Sequence, residues 1–438
     1  MTPSRRHFAL ALPSALLAAG CAAPHRGTGR PGDPIVLTLL SHYASGTLRQ
    51  ALQGPVDEWN ATHDRVKIRT KAVEFTDLLT TFMVRQAAGQ GADILHPYCL
   101  WNGQLVRAGV LRPAPPEHAE RIRRDWGEAA VGAVTVDGTV YGYPTEAQTY
   151  ALYYNRRLLR EAGVDGPPAT WPELEEAAYR TTRRDRYGNP LVQGFGLSAN
   201  DDATTVGQTL ALLHAAGGRF VTPDGRSTAI DSPAGRAVLA LEHRLVTRGA
   251  SAPAVNVYQA FPSGRVAMVV GAGWWTGSLR PLMGGDYRDV GVAPVPAPAP
   301  APGARPATLA TGFMLGVNTA SRHPREAWEF LRWLNADRVT TPKGAAATRM
   351  SALQVSVGTL TARADDMRAL LGTGGDPNLR PFLDALDYAV PEPNGPGAAR
   401  AKTLLRKNIE ALWTGRQSVE ETLRTTRRQV DQEVSRPW

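Results

Sequence analysis

Short apolar runs alternate along the chain with longer stretches that have the periodicity of helices. Residues 35–40 form an apolar run interrupted only by Thr38, which is typical of a strand covered on both faces. Further strands are predicted at residues 93–95, 151–154, 195–197, 267–270, 290–293 and 313–317. Because these strands alternate with helical stretches, the pattern predicts an α/β fold with sheets of the parallel type.

Four helices are predicted from their N-terminal signals, in which a capping side chain or a proline marks the first turn. They open at Thr170, at residues 231–233, at His323 and at Ser418. The second of these helices is expected to end at Gly249. Residues 294–306 are almost all proline and alanine, so they are predicted to form an exposed loop.

The N-terminus has the pattern of an export signal. Arg5 and Arg6 precede an apolar stretch that is too short to span a bilayer, which predicts a twin-arginine signal peptide over residues 1–20. The stretch ends in a pattern that resembles a bacterial lipobox, whose cysteine, Cys21, would carry lipid. Ala18 stands where leucine is usual, so an ordinary signal with an incidental cysteine is the alternative. Residues 21–33 are predicted to be a flexible tether.

The composition is that of a folded chain without a metal or nucleic-acid signature. Of the 438 residues, 43% are hydrophobic and 20% are charged, and this length suits two globular domains. The formal net charge is +9, but the basic residues are scattered, whereas nucleic-acid binders concentrate them along one face. Two cysteines and nine dispersed histidines have no metal-ligand spacing, so neither a metal site nor a disulfide framework is expected.

Four stretches spread over nearly the whole mature chain have an order and spacing that occur together in one family. They are residues 91–95 with 109–111, residues 136–144 with 152–155 and 162–164, residues 264–275, and residues 311–317 with 324–331. Together they resemble the bacterial extracellular solute-binding proteins of sugar-importing ABC systems. Ala92 departs from the proline that the family often has there, which affects a turn.

This resemblance implies a two-lobed α/β fold of the periplasmic-binding-protein type (type II), with a β-sheet flanked by helices in each lobe and a hinge between them. The N-terminal lobe would comprise residues 34–145 and 294–338, and the C-terminal lobe residues 146–293 and 339–438. The implied function is capture of a sugar in the interlobe cleft and delivery to ABC permease subunits. The protein would be a monomer without a cofactor, lipid-anchored on the outer face of the cytoplasmic membrane.

Two tryptophans and two residues of the lobe crossing are candidate ligand contacts. Trp274 and Trp275 follow a predicted strand, and the resemblance places Trp274 at the stacking tryptophan of the family. Indole rings pack on the C–H faces of sugars, although either ring could instead belong to the core. Gln148 is expected where the chain crosses between lobes, at a position that bears a carboxylate in the family. Glu146 is its charged neighbour, with a hinge ion pair as the alternative role.

Three further candidates lie in loops or at strand ends. Tyr43 follows the first strand, where open α/β sheets bind ligands, and the adjacent His42 is a weaker candidate. Trp101 lies in a loop after a predicted strand, and it could stack on a ligand or cap a lobe. Gly312 would allow a ligand to approach the backbone closely, but a strand-entry turn explains it equally well. Cys99 is predicted to be a free thiol.

Enzymatic functions are disfavoured because their motifs are missing. Residues 271–277 lack the third glycine of a dinucleotide fingerprint, and no nucleophile elbow, zinc-protease or Walker motif occurs. Carboxylate pairs such as Asp365 with Asp366 or Asp384 with Asp387 are more typical of helix surfaces. Because glycoside hydrolysis uses two carboxylates, a secreted carbohydrate-active enzyme stays open as an alternative. Another solute, such as glycerol phosphate or a polyamine, also stays open. Cleft arginines would favour the phosphate, and cleft carboxylates the amine.

Overall fold

The computed structural model describes residues 33–199, 201–299 and 306–435. The predicted signal peptide and Cys21 lie outside these residues, as does nearly all of the predicted tether. From Ile35 onward the chain forms one unit by its internal contacts. No helix in the described ranges combines the length and the apolar character that a membrane span requires.

The strands are short, with the exception of two that run through the middle of the molecule. They are β1 (Ile35–Ser41), β2 (Val66–Ala72), β3 (Ile94–Leu95), β4 (Thr135–Val136), β5 (Thr139–Val140), β6 (Gly142–Asn155), β7 (Arg183–Arg184), β8 (Pro190–Phe195), β9 (Val266–Ala272), β10 (Val290–Ala293), β11 (Thr308–Val317), β12 (Arg338–Thr340), β13 (Ala346–Thr348) and β14 (Ala389–Pro391). The two long strands are β6 and β11.

Helices occupy most of the sequence between the strands. They are α1 (Gly46–Thr62), α2 (Phe75–Ala87), α3 (Asn102–Arg107), α4 (Pro116–Asp125), α5 (Glu128–Ala133), α6 (Arg156–Glu161), α7 (Trp171–Thr181), α8 (Asp202–Ala215), α9 (Pro233–Thr247), α10 (Val257–Ala260), α11 (Trp275–Met283), α12 (Pro324–Asn335), α13 (Arg349–Ser356), α14 (Ala364–Gly372), α15 (Arg380–Ala385), α16 (Ala398–Trp413) and α17 (Val419–Val434). Short 3₁₀ helices cover Cys99–Trp101, Gly284–Asp289 and Pro377–Leu379.

All four predicted helix starts are confirmed. Thr170 and Ser418 each form a complete capping box at the start of α7 and α17. Ser232 caps α9, and His323 precedes the proline that opens α12. Gly249 adopts a positive φ of 76° just beyond the C-cap of α9, a conformation that glycine reaches without steric cost.

One sheet runs through both halves of the molecule in the order β2-β1-β3-β11-β6-β9-β8-β7, with β10 also paired to β6 and β14 to β11. The prediction of parallel pairing is correct for β1 with β2, β1 with β3 and β8 with β9. It is wrong around the two long strands, because β6 and β11 run in opposite directions and pair antiparallel. The strand predicted at residues 195–197 is also misplaced, since β8 ends at Phe195.

Buried apolar side chains form three clusters, which define two lobes. The first cluster, here the core of the first lobe, includes Leu39, Trp59, Trp328 and Phe330. The second and third clusters form the core of the second lobe and include Leu212, Leu241, Leu405, Tyr153, Phe261 and Phe382. Met350 and Leu353 of α13 pack in the first cluster, although residues 339–438 were all expected in the other lobe.

Candidate ligand-binding cleft

The long strands bring the predicted crossing residues to the border between the lobes. On β6, Glu146 pairs with Phe313 of β11, and Gln148 pairs with Thr311. Gly312 lies between these pairs, and a Cβ atom at this position would overlap the carbonyl oxygen of Glu146. The close packing of the two strands therefore requires this glycine, and the approach of a ligand is not needed to explain it.

A buried cluster of polar side chains surrounds Glu146, and we call it the polar floor (Tyr43, Glu146, Gln148, Gln354 and Thr359). The Tyr43 hydroxyl donates a hydrogen bond to Glu146 Oε1 at 2.6 Å. Gln148 Nε2 donates to Glu146 Oε2 at 3.2 Å and to Thr359 Oγ1 at 2.5 Å. Burial raises the pKa of the Glu146 carboxyl to about 7, although both hydrogen bonds oppose this shift.

The polar floor contains polar atoms that have no hydrogen-bond partner within the described part of the chain. They are Gln148 Oε1 and both polar atoms of the Gln354 amide. The Gln354 amide nevertheless lies close enough to Tyr43 to lower the pKa of its hydroxyl, against the larger upward effect of burial. Unpaired buried polar atoms are costly, so these groups are suited to bonding a ligand or ordered water.

Two histidines border the polar floor in their neutral form. His42 Nε2 lies 3.6 Å from Glu146 Oε1, but burial and the neighbouring His96 lower the pKa of His42 well below its usual value. This contact is therefore not an ion pair. His96 contacts Ser41 and Thr145 through its two ring nitrogens, and burial lowers its pKa to about 3. Neither ring contributes a positive charge to the site at neutral pH.

Aromatic rings of the first lobe stand beside the polar floor, and we call them the first aromatic wall (Phe75, Tyr98, Trp101 and Phe313). The Phe313 ring centroid lies 5.3 Å from that of Tyr98, and Trp101 stacks on Phe75 at 5.4 Å with an interplanar angle of 16°. Phe75 is 37% exposed, whereas the predicted contact Trp101 is buried behind it. The ring that faces solvent is thus Phe75, and this arrangement favours the alternative in which Trp101 caps the lobe.

The backbone of the second lobe brings Trp274 close to β6, the strand that carries two residues of the polar floor. Ala272 of β9 pairs with Tyr150 of β6, and Gly273 N–H donates to Thr149 O one step further along. This register brings Trp274 to the part of β6 that carries Gln148. Its indole is 39% exposed and lies 5.4 Å from the Tyr258 ring, and we call this pair the second aromatic wall.

The adjacent tryptophan has a different environment. Trp275 is 3% exposed and belongs to the third core cluster, where its ring centroid lies 5.1 Å from Tyr153 and 5.3 Å from Phe261. This burial favours the alternative role of Trp275 as a core residue, because the first turn of α11 directs its side chain into the core. Cys99 is a buried free thiol, and burial raises its pKa.

Several groups of the cleft were missed by the sequence prediction. Phe75 opens α2 directly after β2, so the strand-end rule that selected Tyr43 would have found it. Gln354 and Thr359 lie far along the chain from Tyr43 and Gln148, and Glu392 and Lys402 lie far from Tyr98, so no local pattern marks these four residues. Within the described ranges, no group of His, Cys, Asp and Glu side chains is placed to hold a metal ion.

Two cavities are present near these elements. One of about 240 Å³ adjoins Tyr43 at the ends of β1 and β2, where Arg49 and Lys71 line it. The other, of about 880 Å³, is lined by Glu392 and by the loops around Gly132, Phe220 and Asn394, and it contains none of the predicted ligand contacts. The larger cavity has no exposed aromatic face, so its chemistry does not match that of the polar floor and the two aromatic walls.

Comparison with known proteins identifies similar chains. A family model described as bacterial extracellular solute-binding protein matches residues 44–341. A putative binding protein of Brucella abortus is 26% identical over 318 residues, which cover 68% of this chain and 74% of that protein. A maltotriose-binding protein of Pyrococcus abyssi is 24% identical over 66% of this chain and 60% of its own length. An uncharacterized lipoprotein of Streptomyces antibioticus is 28% identical over 47% of this chain and 44% of its own length.

Solved structures share the fold at low sequence identity. The cyclic alpha-maltosyl-1,6-maltose binding protein of Arthrobacter globiformis superposes with a TM-score of 0.75, 24% identity, and coverage of 92% of this chain and 99% of that one. The sugar-binding protein MalE of Xanthomonas citri has the same TM-score at 19% identity, and the match covers 91% of this chain and 97% of that one. These matches confirm the expected two-lobed α/β fold of the periplasmic-binding type.

Proposed function

The chain belongs to the family of bacterial extracellular solute-binding proteins, and we propose that it captures a mono- or oligosaccharide between its lobes for an ABC importer. The observation that carries this proposal is the exposed Trp274 indole beside a floor of hydrogen-bonding side chains. Sugars present apolar C–H faces and a rim of hydroxyls, so an indole and in-plane polar partners bind both parts. The sugar-binding names of several similar proteins support the same ligand class.

The balance of charge around the floor favours a neutral ligand over the two alternative solutes. Lys402 is matched by Glu392, and Glu146 is hydrogen-bonded by Tyr43 and Gln148. There is neither a cluster of cleft arginines for a phosphate nor a cluster of carboxylates for a polyamine among the described side chains of the floor and walls. Because Lys402 already has a carboxylate partner and burial keeps the Glu146 carboxyl partly protonated near pH 7, a neutral sugar suits this site better than a charged solute.

The role is binding without catalysis. The carboxylates of Asp384 and Asp387, considered for glycoside hydrolysis, are exposed and pair with Arg380 and Arg368 on the surface. The proteins reported above are named for binding and not for hydrolysis. A carbohydrate-active enzyme would release product from an oligosaccharide over hours of incubation, and none is expected here.

Export and anchoring belong to the same proposal. The twin-arginine signal of residues 1–20 would direct export, and acylated Cys21 would hold a monomer at the outer face of the cytoplasmic membrane through the tether 21–33. The relative from Streptomyces antibioticus that is named as a lipoprotein supports this anchoring. Mass spectrometry of the native protein tests it, because an unmodified Cys21 or an uncleaved leader would contradict it.

The sugar proposal is tested by thermal unfolding with a panel of neutral monosaccharides, oligosaccharides and polyols. A ligand that binds only the folded state raises the melting temperature with its concentration. At least one sugar of the panel is expected to give such a shift, whereas glycerol phosphate and polyamines are expected to give none. If no sugar changes the melting temperature and a charged solute does, the ligand class is wrong.

A further inference from the structure

One ion pair differs from the others in its burial. Lys402 Nζ lies 2.5 Å from Glu392 Oε1, and the two side chains are only 2% and 4% exposed. In the part of the chain that the structure describes, every other pair has a partner that is at least 10% exposed. Burying two charges has a desolvation cost that their attraction often does not exceed, so stability alone does not explain such a pair.

The pair lies between the lobes at the end of the first aromatic wall. Glu392 N–H donates to Ala310 O of β11, whereas Lys402 lies on α16, whose flanking Ala401 and Leu405 pack in the second cluster. Tyr98 of the first wall donates its hydroxyl hydrogen to Glu392. Lys402 Nζ donates to the Tyr98 hydroxyl oxygen at 3.3 Å and lies 5.5 Å from the centre of that ring.

The pair has hydrogen-bonding capacity that the described residues do not use. Glu392 Oε1 accepts no hydrogen bond of acceptable geometry, although it is buried. Lys402 has three N–H donors, and Tyr98 accepts from one of them. A donor and an acceptor in contact with each other match two adjacent hydroxyls of a sugar ring, where one oxygen accepts and the other hydroxyl donates.

We propose that Lys402 and Glu392 bind two adjacent hydroxyls of the ligand, which makes this pair a subsite for a neutral vicinal diol. The ammonium donates to one hydroxyl oxygen, and the second hydroxyl donates to the carboxylate. This inference rests on the sugar-binding function proposed above and narrows the ligand class. A carboxylate or an ammonium group on the ligand at this position would leave three charges among buried side chains, one of them unbalanced.

The test replaces the ion pair by an uncharged pair of similar size, in the double variant Lys402→Met/Glu392→Gln. Removing both charges together avoids an isolated buried charge, so the variant is expected to fold. Sugars that raise the melting temperature of the wild-type protein are measured by isothermal titration calorimetry. The double variant is expected to bind them about 10- to 100-fold more weakly. Unchanged affinity would overturn the proposal.

A matched control removes an ion pair that lies away from the cleft. Arg244 of α9 and Glu175 of α7 form a bidentate pair at 2.8 and 2.9 Å on the second lobe. The double variant Glu175→Gln/Arg244→Met is expected to keep the wild-type sugar affinity within about twofold. An equal loss of affinity in both double variants would assign the effect to general destabilisation and would contradict the subsite.

Monodeoxy analogues of the sugar distinguish direct contact from an effect on lobe closure. The wild-type protein is expected to lose affinity for analogues that lack either of two adjacent hydroxyls, and this measurement does not depend on how a variant folds. The Lys402→Met/Glu392→Gln variant lacks the charged partners of these two hydroxyls. It should therefore bind those analogues and the parent sugar with equal affinity. If the variant loses the same factor toward every analogue, the pair acts on closure and the proposal is wrong. If no sugar binds the wild-type protein, the proposed function itself fails.

Discussion

Gly273 donates its backbone N–H to the carbonyl oxygen of Thr149 at 3.1 Å, one step beyond the last paired residues of β9 and β6. This bond keeps the chain that leaves β9 in register with the part of β6 that carries Gln148. The two tryptophans that follow Gly273 then separate: Trp274 reaches solvent, and Trp275 enters the core at the start of α11. Two adjacent tryptophans therefore have different environments, one partly exposed and one buried.

Replacement of Trp274 is expected to affect binding more than folding. Because its indole is 39% exposed, Trp274→Ala should lower the free energy of unfolding by less than the about 3–5 kcal/mol expected for a fully buried tryptophan. The sugar-induced rise in melting temperature should be lost, with at least about tenfold weaker binding, since the apolar sugar face loses its stacking partner. Tyr187→Ala is the control, because Tyr187 is an exposed aromatic residue outside the cleft. A Trp274→Ala protein that kept the wild-type shift would exclude stacking at this position.

Replacement of the neighbouring Trp275 is expected to give the opposite result. Trp275→Ala leaves a cavity among Tyr153, Phe261 and Tyr258, so the free energy of unfolding should fall by about 3–5 kcal/mol in urea denaturation. Any loss of sugar affinity should disappear under conditions in which the variant is fully folded. A stable Trp275→Ala protein that cannot bind sugar would instead restore Trp275 as a ligand contact.

Local signals in the sequence predicted the elements that depend on local physics. Capping boxes at Thr170 and Ser418 act within one helical turn, and both helices begin where these residues indicate. The apolar run at residues 35–40 matches β1, although Val36 is 45% exposed and only the second half of the strand is covered on both faces. Only residues 151–154 of β6 were predicted, because polar residues such as Glu146 and Gln148 occupy its buried first half.

The cleft itself was harder to predict, because its groups come from distant parts of the chain. Tyr98 and Glu392 are 294 positions apart, and Gln148 and Thr359 are 211 positions apart. The strand-end rule selected Tyr43 as a candidate, and family resemblance selected Trp274 and Gln148, whose backbone positions the register of β6 and β9 brings together. Neither source could separate Trp274 from Trp275, since that difference arises only from the geometry of the turn into α11.

The buried carboxyl of Glu242 predicts a pH dependence of stability. It accepts hydrogen bonds from the Thr209 hydroxyl at 2.8 Å and from the Trp413 indole at 3.1 Å, and burial raises its pKa to about 7 from 4.5. The folded state thus keeps a proton that the unfolded chain loses, so this group lowers stability progressively as the pH rises from about 4.5 to about 7. The full difference is about 3 kcal/mol above this range.

Glu242→Gln is expected to remove this contribution. In urea denaturation the variant should exceed the wild-type free energy of unfolding by up to about 3 kcal/mol at about pH 8 and should match it at about pH 4. The Gln amide can still accept from Trp413 and donate to the Thr209 oxygen. Glu329→Gln, an exposed position on α12, is the control and should have little effect at either pH. Equal stability of Glu242→Gln and wild type at about pH 8 would mean that Glu242 is not destabilising when ionised.

The role of Gly312 can be decided by one methyl group. A Cβ atom at this position would overlap the carbonyl oxygen of Glu146 on the paired strand, and backbone cannot move aside as a flexible side chain can. Gly312→Ala should therefore lower the free energy of unfolding by about 1–3 kcal/mol, measured without sugar. Gly372→Ala at the end of α14, where the added Cβ meets no atom within 4 Å, should be neutral or slightly stabilising. If Gly312→Ala were as stable as wild type and bound sugar more weakly, the new methyl group would contact the ligand and not the neighbouring strand. The glycine would then serve the approach of the ligand.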